Sequence, residues 1–576
     1  MKRAVLAVLC LVLLAGCANI PQESQPMVVP GDKPPQPAAS VSEPSMGIDS
    51  LTLARQFVRA SAVPGSNNAA ARAYLDDQAR ANWKPARGLT IIDDIFNTTY
   101  DTENRTPDPN VQTVNVHGFA LGVLNGDGSF VPNQAPFKLQ LEVRKQQATG
   151  QWRIVNPPPN LVVTNADFSI NYFRVPVSFY SPDAGTFVPD LRYVVAKPQS
   201  GLAGRVMDLL MLGPSEGLAG SVKNLLADPV TIENNVKTAD DGSVVVPLTG
   251  LTGATPETRN LIAAQIVLSL QTVTSTRIRL LADGAPLVPG HEYWRASELP
   301  AYAAAASPSS DLLGLMTAGG RLRSLGTGAP VEGPAGSGGY DVASAAQSID
   351  GKRLAVVERT GGRMRLRVGD FGRDLPQTEL FGGSLTRPTW RPAAPGGDAS
   401  GEVWTVVDHT TVARLVLAPG GHWAQQGVNA NEVTALGQIT ELRLSRDGSR
   451  AAAVVGGKLV VASVVRTADS VTLRAPRLLQ NRDLANVVDV DWATTDTLVA
   501  STSSTSQPVV KLPIDGLRMD AFNSSNLTPP VHSVTAAPNR PIVVADGGGL
   551  WFASELGEVW RPHTHTTPGA DAFYPG

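Results

Sequence analysis

Cysteine is almost missing from this sequence. The 576-residue chain has two, Cys10 and Cys17, and none follows over the rest of its length. A disulfide framework is therefore excluded, and the folded parts must hold together by their apolar cores. A chain of this length, divided into several domains, can build such cores. Charge is sparse too: charged residues make up 17%, the formal net charge is -3, and no long run of one sign occurs. That excludes the basic surface nucleic acid requires, and equally a polybasic membrane-binding stretch. No run of 18 apolar residues appears after the amino terminus, so no transmembrane span is expected. Nucleotide signatures are absent as well: there is no Walker A loop, and no G-x-G-x-x-G follows a strand. Aromatic residues are few (6%) beside 54 glycines and 45 prolines, the balance of a turn-rich, largely β chain.

What is present begins with 13-LLAGC-17. Lys2 and Arg3 precede an apolar run from Ala4 to Leu14, then the small residues Ala15 and Gly16, then Cys17. A charged start, a short apolar middle and small residues are the layout of a secretory signal. The run is too short for a membrane span, which needs about 20 apolar residues. Leu14-Ala15-Gly16-Cys17 resembles the lipobox of bacterial lipoproteins. The resemblance implies a diacylglyceryl group on the Cys17 thiol, cleavage between Gly16 and Cys17, and acylation of the new amine. Residues 1–16 are then the signal and Cys10 is discarded with it. Residues 17–47 are the lipidated Cys and a disordered tether. From 18 to 47 there are seven prolines and no aromatic residue, too little apolar surface to fold. As polyproline II it reaches about 90 Å, at about 3.1 Å per residue.

The fold class expected for the remainder is multidomain, α+β followed by all-β. Residues 48–163 open with 51-LTLARQFVRA-60, where Leu51, Ala54 and Val58 share a helix face, as do Leu53 and Phe57. A second helix is expected from an Asn67 or Asn68 cap to about Ala81. In 137-FKLQLEVRK-145, Phe137, Leu139, Leu141 and Val143 alternate as on a half-buried strand. Helices first and a meander after are similar to an NTF2-like cone.

Residues 170–290 read as an amphipathic helix stopping at Gly213-Pro214, a short helical piece over 222-VKNLLADP-229, a turn at 240-DDGS-243, and a long helix from Pro256 after a Thr255 cap. The strand 276-TRIRLLADGAPL-287 closes the unit. That order resembles the GerMN domain of germination-type lipoproteins, which implies no enzyme activity and no catalytic set.

Residues 311–565 repeat. The segments 347-QSIDGKRLAVV-357, 388-PTWRPAAPGG-397 with 402-EVWTVV-407, 442-LRLSRDGSRAAAVV-455, 489-DVDWATTDTLVAS-501 and 534-VTAAPNRPIVVADGGGLW-551 each read as strand, tight turn, strand. A weaker unit lies at 312-LLGLMTAGGRLRSL-325. Asp350-Gly351 and Asp447-Gly448 are hairpin pairs. A spacing of roughly 40 to 55 residues is that of a four-stranded propeller blade, which buries its faces only against neighbours. A β-propeller of five or six blades is expected. The three units, each with a core of its own, are expected to be separable.

Chemistry-bearing residues are scattered. Gly213-Pro214-Ser215-Glu216-Gly217 fits a nucleophile elbow, but helical periodicity precedes Ser215 where a strand is needed, so Ser215 is read as a turn residue. His563 and His565 have ligand-like spacing with no acid or cysteine beside them, and His291-Glu292 lacks a second histidine. No metal site, cofactor or catalytic residue is expected. Trp390, Trp404, Trp423 and Trp551 fit sugar platforms or blade packing, and packing is the commoner role.

Lipobox, Pro-rich tether, α+β domain, GerMN-like domain and propeller, in this order, resemble the LpqB family of actinobacterial lipoproteins. The resemblance implies a non-enzymatic protein on the extracytoplasmic face of the cell membrane. It implies a partner, the ectodomain of a sensor histidine kinase of the MtrB type, and an influence on cell-wall homeostasis and division. An envelope scaffold or cell-wall glycan binder is the alternative.

Overall fold

The structure is a computed structural model and describes residues 43–103, 107–299, 307–393, 400–480 and 482–576. Leu14, Ala15, Gly16 and Cys17, and the tether as far as residue 42, lie outside the described residues.

The first domain is a helix laid on a curved sheet. Asp49 caps the helix Ser50–Ser61 by accepting the N–H groups of Leu51 and Thr52 at 2.9 Å. Leu53, Ala54, Phe57 and Val58 form its buried face. They pack on a sheet ordered Trp152–Ile154, Phe130–Lys145, Val111–Leu124, Leu89–Ile92, Leu161–Thr164, with Asn97–Tyr100 paired to Val111–Leu124. The expected second helix is in fact two pieces, Ala69–Arg72 and Asp77–Asn82. Between them the edge of the sheet captures the backbone: Ile154 N–H donates to the Tyr74 carbonyl and Asp76 N–H to the Ile154 carbonyl, both at 3.0 Å. Asp76 then restarts the helix as its cap.

In the second domain the antiparallel hairpin Tyr172–Ser181/Thr186–Val195 and the helices Leu202–Leu212 and Pro256–Leu270 enclose one core with the parallel pair Val244–Thr249/Ile278–Ala282. Thr255 caps the long helix as expected, and Gly213, at φ 85°, stops the shorter one in a conformation that favours glycine. The stretch 222–229 is not helical. Lys223 exchanges two backbone hydrogen bonds with Tyr180, so the hairpin takes the groups a helix would need. The core also runs on past residue 290 to Trp294 and Leu299.

Among the described residues the propeller has six blades. Blades 2 to 6 are four-stranded and start at the inner strands Val342–Gln347, Thr389–Trp390, Ile439–Leu444, Val487–Trp492 and Ser533–Thr535. Blade 1 is Leu315–Ala318 and Arg321–Ser324, completed on its inner side by Asp571–Phe573. Residue 565 therefore falls short of the ring's end, because the closing strand lies beyond the last recognisable hairpin. The turn chemistry repeats: Ser348 with Asp350-Gly351, and Ser445 with Asp447-Gly448, form the same hydroxyl–carboxylate bonds, and Gly351 and Gly448 take φ of 75° and 72°.

The first two domains each have a core of their own, and buried contacts join all three. Arg192 of the second domain is fully buried and reaches the first: it donates to the Asp127 carbonyl at 2.6 Å and ion-pairs with Asp190 at 2.7 Å and Asp127 at 3.5 Å. Leu191 sits in one apolar cluster with Trp492, Leu512 and Ile514 of blade 5, and Leu517 sits in the first domain's core. The Tyr193 hydroxyl donates to Asp515 at 2.8 Å, both buried. Residues 43–576 are one compact unit. Among the described residues no helix is long and apolar enough to cross a membrane.

Candidate functional site

The inner strands of blades 4 and 5 carry charges where apolar residues would be expected. Arg443 donates to Asp489 at 3.3 Å and lies 2.8 Å from Glu441, while Arg387 lies 3.7 Å from Asp491. The carboxylates are already engaged: Asp489 accepts the N–H of Val534 at 3.0 Å, and Asp491 accepts the Thr535 hydroxyl at 2.8 Å and the Ala536 N–H at 3.1 Å. Among the described residues Arg446, buried, donates to the carbonyls of Trp492, Ala536 and Pro575. These bonds tie blade 4 to blades 5 and 6 along the ring axis, and a cleft of about 480 Å³ lies beside them. The last residues fill the axis at the ends of the inner strands: Gly576 N–H donates to the Gln347 carbonyl, and Trp390 N–H to the Gly576 carbonyl.

Glu441 is the exception in this network. Burial pushes its carboxyl up to about 7, with Asp489 adding to the push and Arg443 and Arg387 opposing it. The arrangement can hold strands and present charge; a nucleophile with a base beside it is not part of it. None of these groups was singled out in the sequence. The signal was there in 489-DVDW-492 and 441-ELRL-444, where charges alternate with apolar residues on strands that should be apolar on both faces.

The ring is closed by a titratable clasp. His532, before the inner strand of blade 6, lies 3.4 Å from Asp571 of the closing strand, and Ser533 also donates to Asp571. The bond to Asp571 raises the His532 pKa against the effect of burial. Burial pushes Asp571 up, yet His532 and Ser533 hold it below the usual carboxylate range. A raised histidine stabilises fully below its unfolded pKa and loses that contribution as pH rises through the folded one. A depressed Asp stabilises above its unfolded pKa and loses that as pH falls. The clasp is thus strongest from about pH 4 to 6.5. His532→Gln is expected to lower the urea midpoint at pH 6 and to change it little at pH 9; equal losses at both pH values would refute the clasp.

The residues weighed in the sequence fall as follows. Ser215 is buried, its N–H and hydroxyl both bound to Asp190 at 2.7 and 2.9 Å, so it is a turn residue in the domain joint. His563 packs edge-on to Phe552, and His565 lies 3.1 Å from the Gly326 carbonyl. Among the described residues no three His, Cys, Asp or Glu side chains converge as a metal site. Trp390 and Trp404 are buried packing, whereas Trp423 and Trp551 are partly exposed, Trp423 against Trp390 and Trp551 donating to Asp546.

Comparison with known proteins covers nearly the whole chain. Residues 320–575 match the family described as lipoprotein LpqB beta-propeller domain, 43–169 the lipoprotein LpqB N-terminal domain, and 176–288 the sporulation and spore germination family. A lipoprotein LpqB of Rhodococcus opacus strain B4 is 32% identical over 93% of this chain and 91% of its own. One of Mycobacterium tuberculosis is 31% identical over 97% and 95%. Among solved structures, the tandem GerMN domains of the sporulation protein GerM from Bacillus subtilis are 17% identical, covering 22% of this chain and 48% of that one, with a TM-score of 0.18. That likeness is too slight to carry an argument.

Proposed function

This chain belongs to the LpqB lipoprotein family, and we propose that it is an accessory signalling protein, anchored by lipid on Cys17 at the extracytoplasmic face of the membrane. Its partner is the ectodomain of an MtrB-type sensor kinase, through which it influences cell-wall homeostasis and division. The observation that carries the reading is the joining of three domains into one body by buried Arg192, which reaches Asp127 of the first domain, by the buried Tyr193–Asp515 bond to the propeller, and by shared apolar clusters. A body of that kind presents a fixed surface. It suits holding a partner in one of two states better than it suits turnover. The axial charges favour the same reading, because they are spent on bonds between blades.

Such a protein biases a kinase only by binding its two states with different affinity, a coupling of about 1–3 kcal/mol, or roughly 5- to 150-fold. Kinase reconstituted in liposomes with the lipoprotein is expected to autophosphorylate at a rate changed by at least about fivefold. An unchanged rate, with no ectodomain binding at high concentration, would favour an envelope scaffold or glycan binder. The partly exposed Trp423 and Trp551 would then be the first residues to test.

A further inference from the structure

The three domains meet around a small cleft. Phe130 comes from the first domain, Asp190 and Ser215 from the second, and Arg450, Arg477 and Asp515 from the propeller. Its carboxylates are occupied. Asp190 is bound by Ser215 and by Arg192. Asp515 accepts the Leu517 N–H at 3.0 Å and the Tyr193 hydroxyl at 2.8 Å, and burial pushes its carboxyl up.

The cations are not so well supplied. Arg450 is only 4% exposed; its Nη2 donates to the Pro189 carbonyl at 2.6 Å, while its Nη1 is buried with no partner among the described residues. A buried guanidinium nitrogen without an acceptor costs the full desolvation of that group. Arg477 makes one hydrogen bond among the described residues, a long one of 3.4 Å to the Phe130 carbonyl. Burial holds its guanidinium below the ordinary value, Arg450 adds like-charge repulsion, and Asp190, Glu216 and Asp127 only partly offset both. Ser463 lines the same wall, with its hydroxyl on the Gly217 carbonyl. Two guanidinium groups of one blade thus face a cleft in which the acceptors are taken.

We propose that this cleft binds a small oxyanion, a phosphate or carboxylate group, held between Arg450 Nη1 and Arg477 where the second domain meets blade 4. Charge-assisted bonds to guanidinium are the strongest hydrogen bonds a site of this size can make. An oxyanion there also satisfies the buried donor and cements the joint, so its binding raises the stability of the whole body.

The test uses the mature lipoprotein in detergent at constant ionic strength, titrated with inorganic phosphate or with acetate against chloride. A saturable rise in melting temperature with one of them, confirmed by calorimetry, is expected. Preference for phosphate or for acetate identifies the tetrahedral or the planar group. Arg477→Gln is expected to weaken binding at least tenfold with little change in the melting temperature of the anion-free protein. Arg450→Gln also loses the bond to Pro189, so its fold is checked by circular dichroism. Arg363→Gln, at the exposed start of the third strand of blade 2, is expected to bind like the parent. No saturable response to either anion, or one that survives Arg477→Gln, overturns the proposal.

Discussion

Deleting residues 571–576 is expected to turn a cooperatively melting protein into an aggregating one, although it removes only the chain's last six residues. Asp571–Phe573 is the inner strand of blade 1 and pairs with Leu315–Ala318, near the start of the ring. Ala572, Phe573 and Tyr574 are buried there. Phe573 belongs to the core shared by blades 1 and 2, and Ala572 and Tyr574 to the core shared by blades 6 and 1. The deletion strips both cores at once, opens the edge of Leu315–Ala318 to strand pairing with other molecules, and removes the carbonyl of Pro575 from Arg446. A single large-to-small core substitution costs about 3–5 kcal/mol, and a domain's whole stability is about 5–15 kcal/mol. Losing a strand and two core faces exceeds that margin. Phe573→Ala alone is the graded version. It should fold and melt about 6–20 °C lower, from about 2–4 °C per kcal/mol in a domain of this size. Arg561→Ala, on the exposed outer strand of blade 6, should do almost nothing. A deletion variant melting cooperatively within a few degrees of the intact chain would show that the ring does not depend on its closing strand.

The closing strand also marks where sequence reading stops. Hairpins announced themselves, because Asp-Gly pairs and alternating apolar residues are local signals, and so blades 2 to 6 and the cap at Thr255 were legible or nearly so. The strand 571–573 has no hairpin partner in sequence; its partner lies about 250 residues earlier, and only ring closure pairs them. The break in the second helix and the lost helix at 222–229 have the same origin. In each, a strand elsewhere competes for backbone hydrogen bonds that local propensity assigned to a helix. The joint was illegible for a different reason. Arg192, Asp190 and Ser215 look like ordinary polar residues until the first domain covers them. A buried ion pair leaves no mark in a single sequence, since burial is decided by a chain segment far away. What the sequence did carry was the order of its domains, and the proposed anchor at Leu14-Ala15-Gly16-Cys17 yields the largest expected effect on function.

If Cys17 carries the proposed lipid, Cys17→Ser is expected to abolish acyl labelling altogether and to leave the chain unprocessed, because a serine hydroxyl would not replace the thiol. The consequence for signalling follows from the anchor. Each buried methylene contributes about 0.8 kcal/mol; one acyl chain gives marginal binding, and two give a stable anchor. In the proposed role, a protein anchored beside a kinase would meet its partner at a high effective concentration, largest when the tether matches the span, so a weak contact would suffice. A soluble chain beginning after Cys17 should bind the ectodomain measurably, yet need about 10²–10⁴ times more protein for the same change in kinase rate. Anchoring and reach are separable. A chain lacking residues 22–42 keeps Cys17 and the folded body from Glu43 onward, but loses most of the Pro-rich segment between them. It should stay in the membrane and signal poorly. Palmitate labelling, membrane fractionation and the liposome kinase assay read the three quantities independently. Equal labelling of Cys17→Ser would refute the anchor. Full signalling by the shortened chain would place the contact close to the membrane, and the tether would then be a spacer without a role in reach.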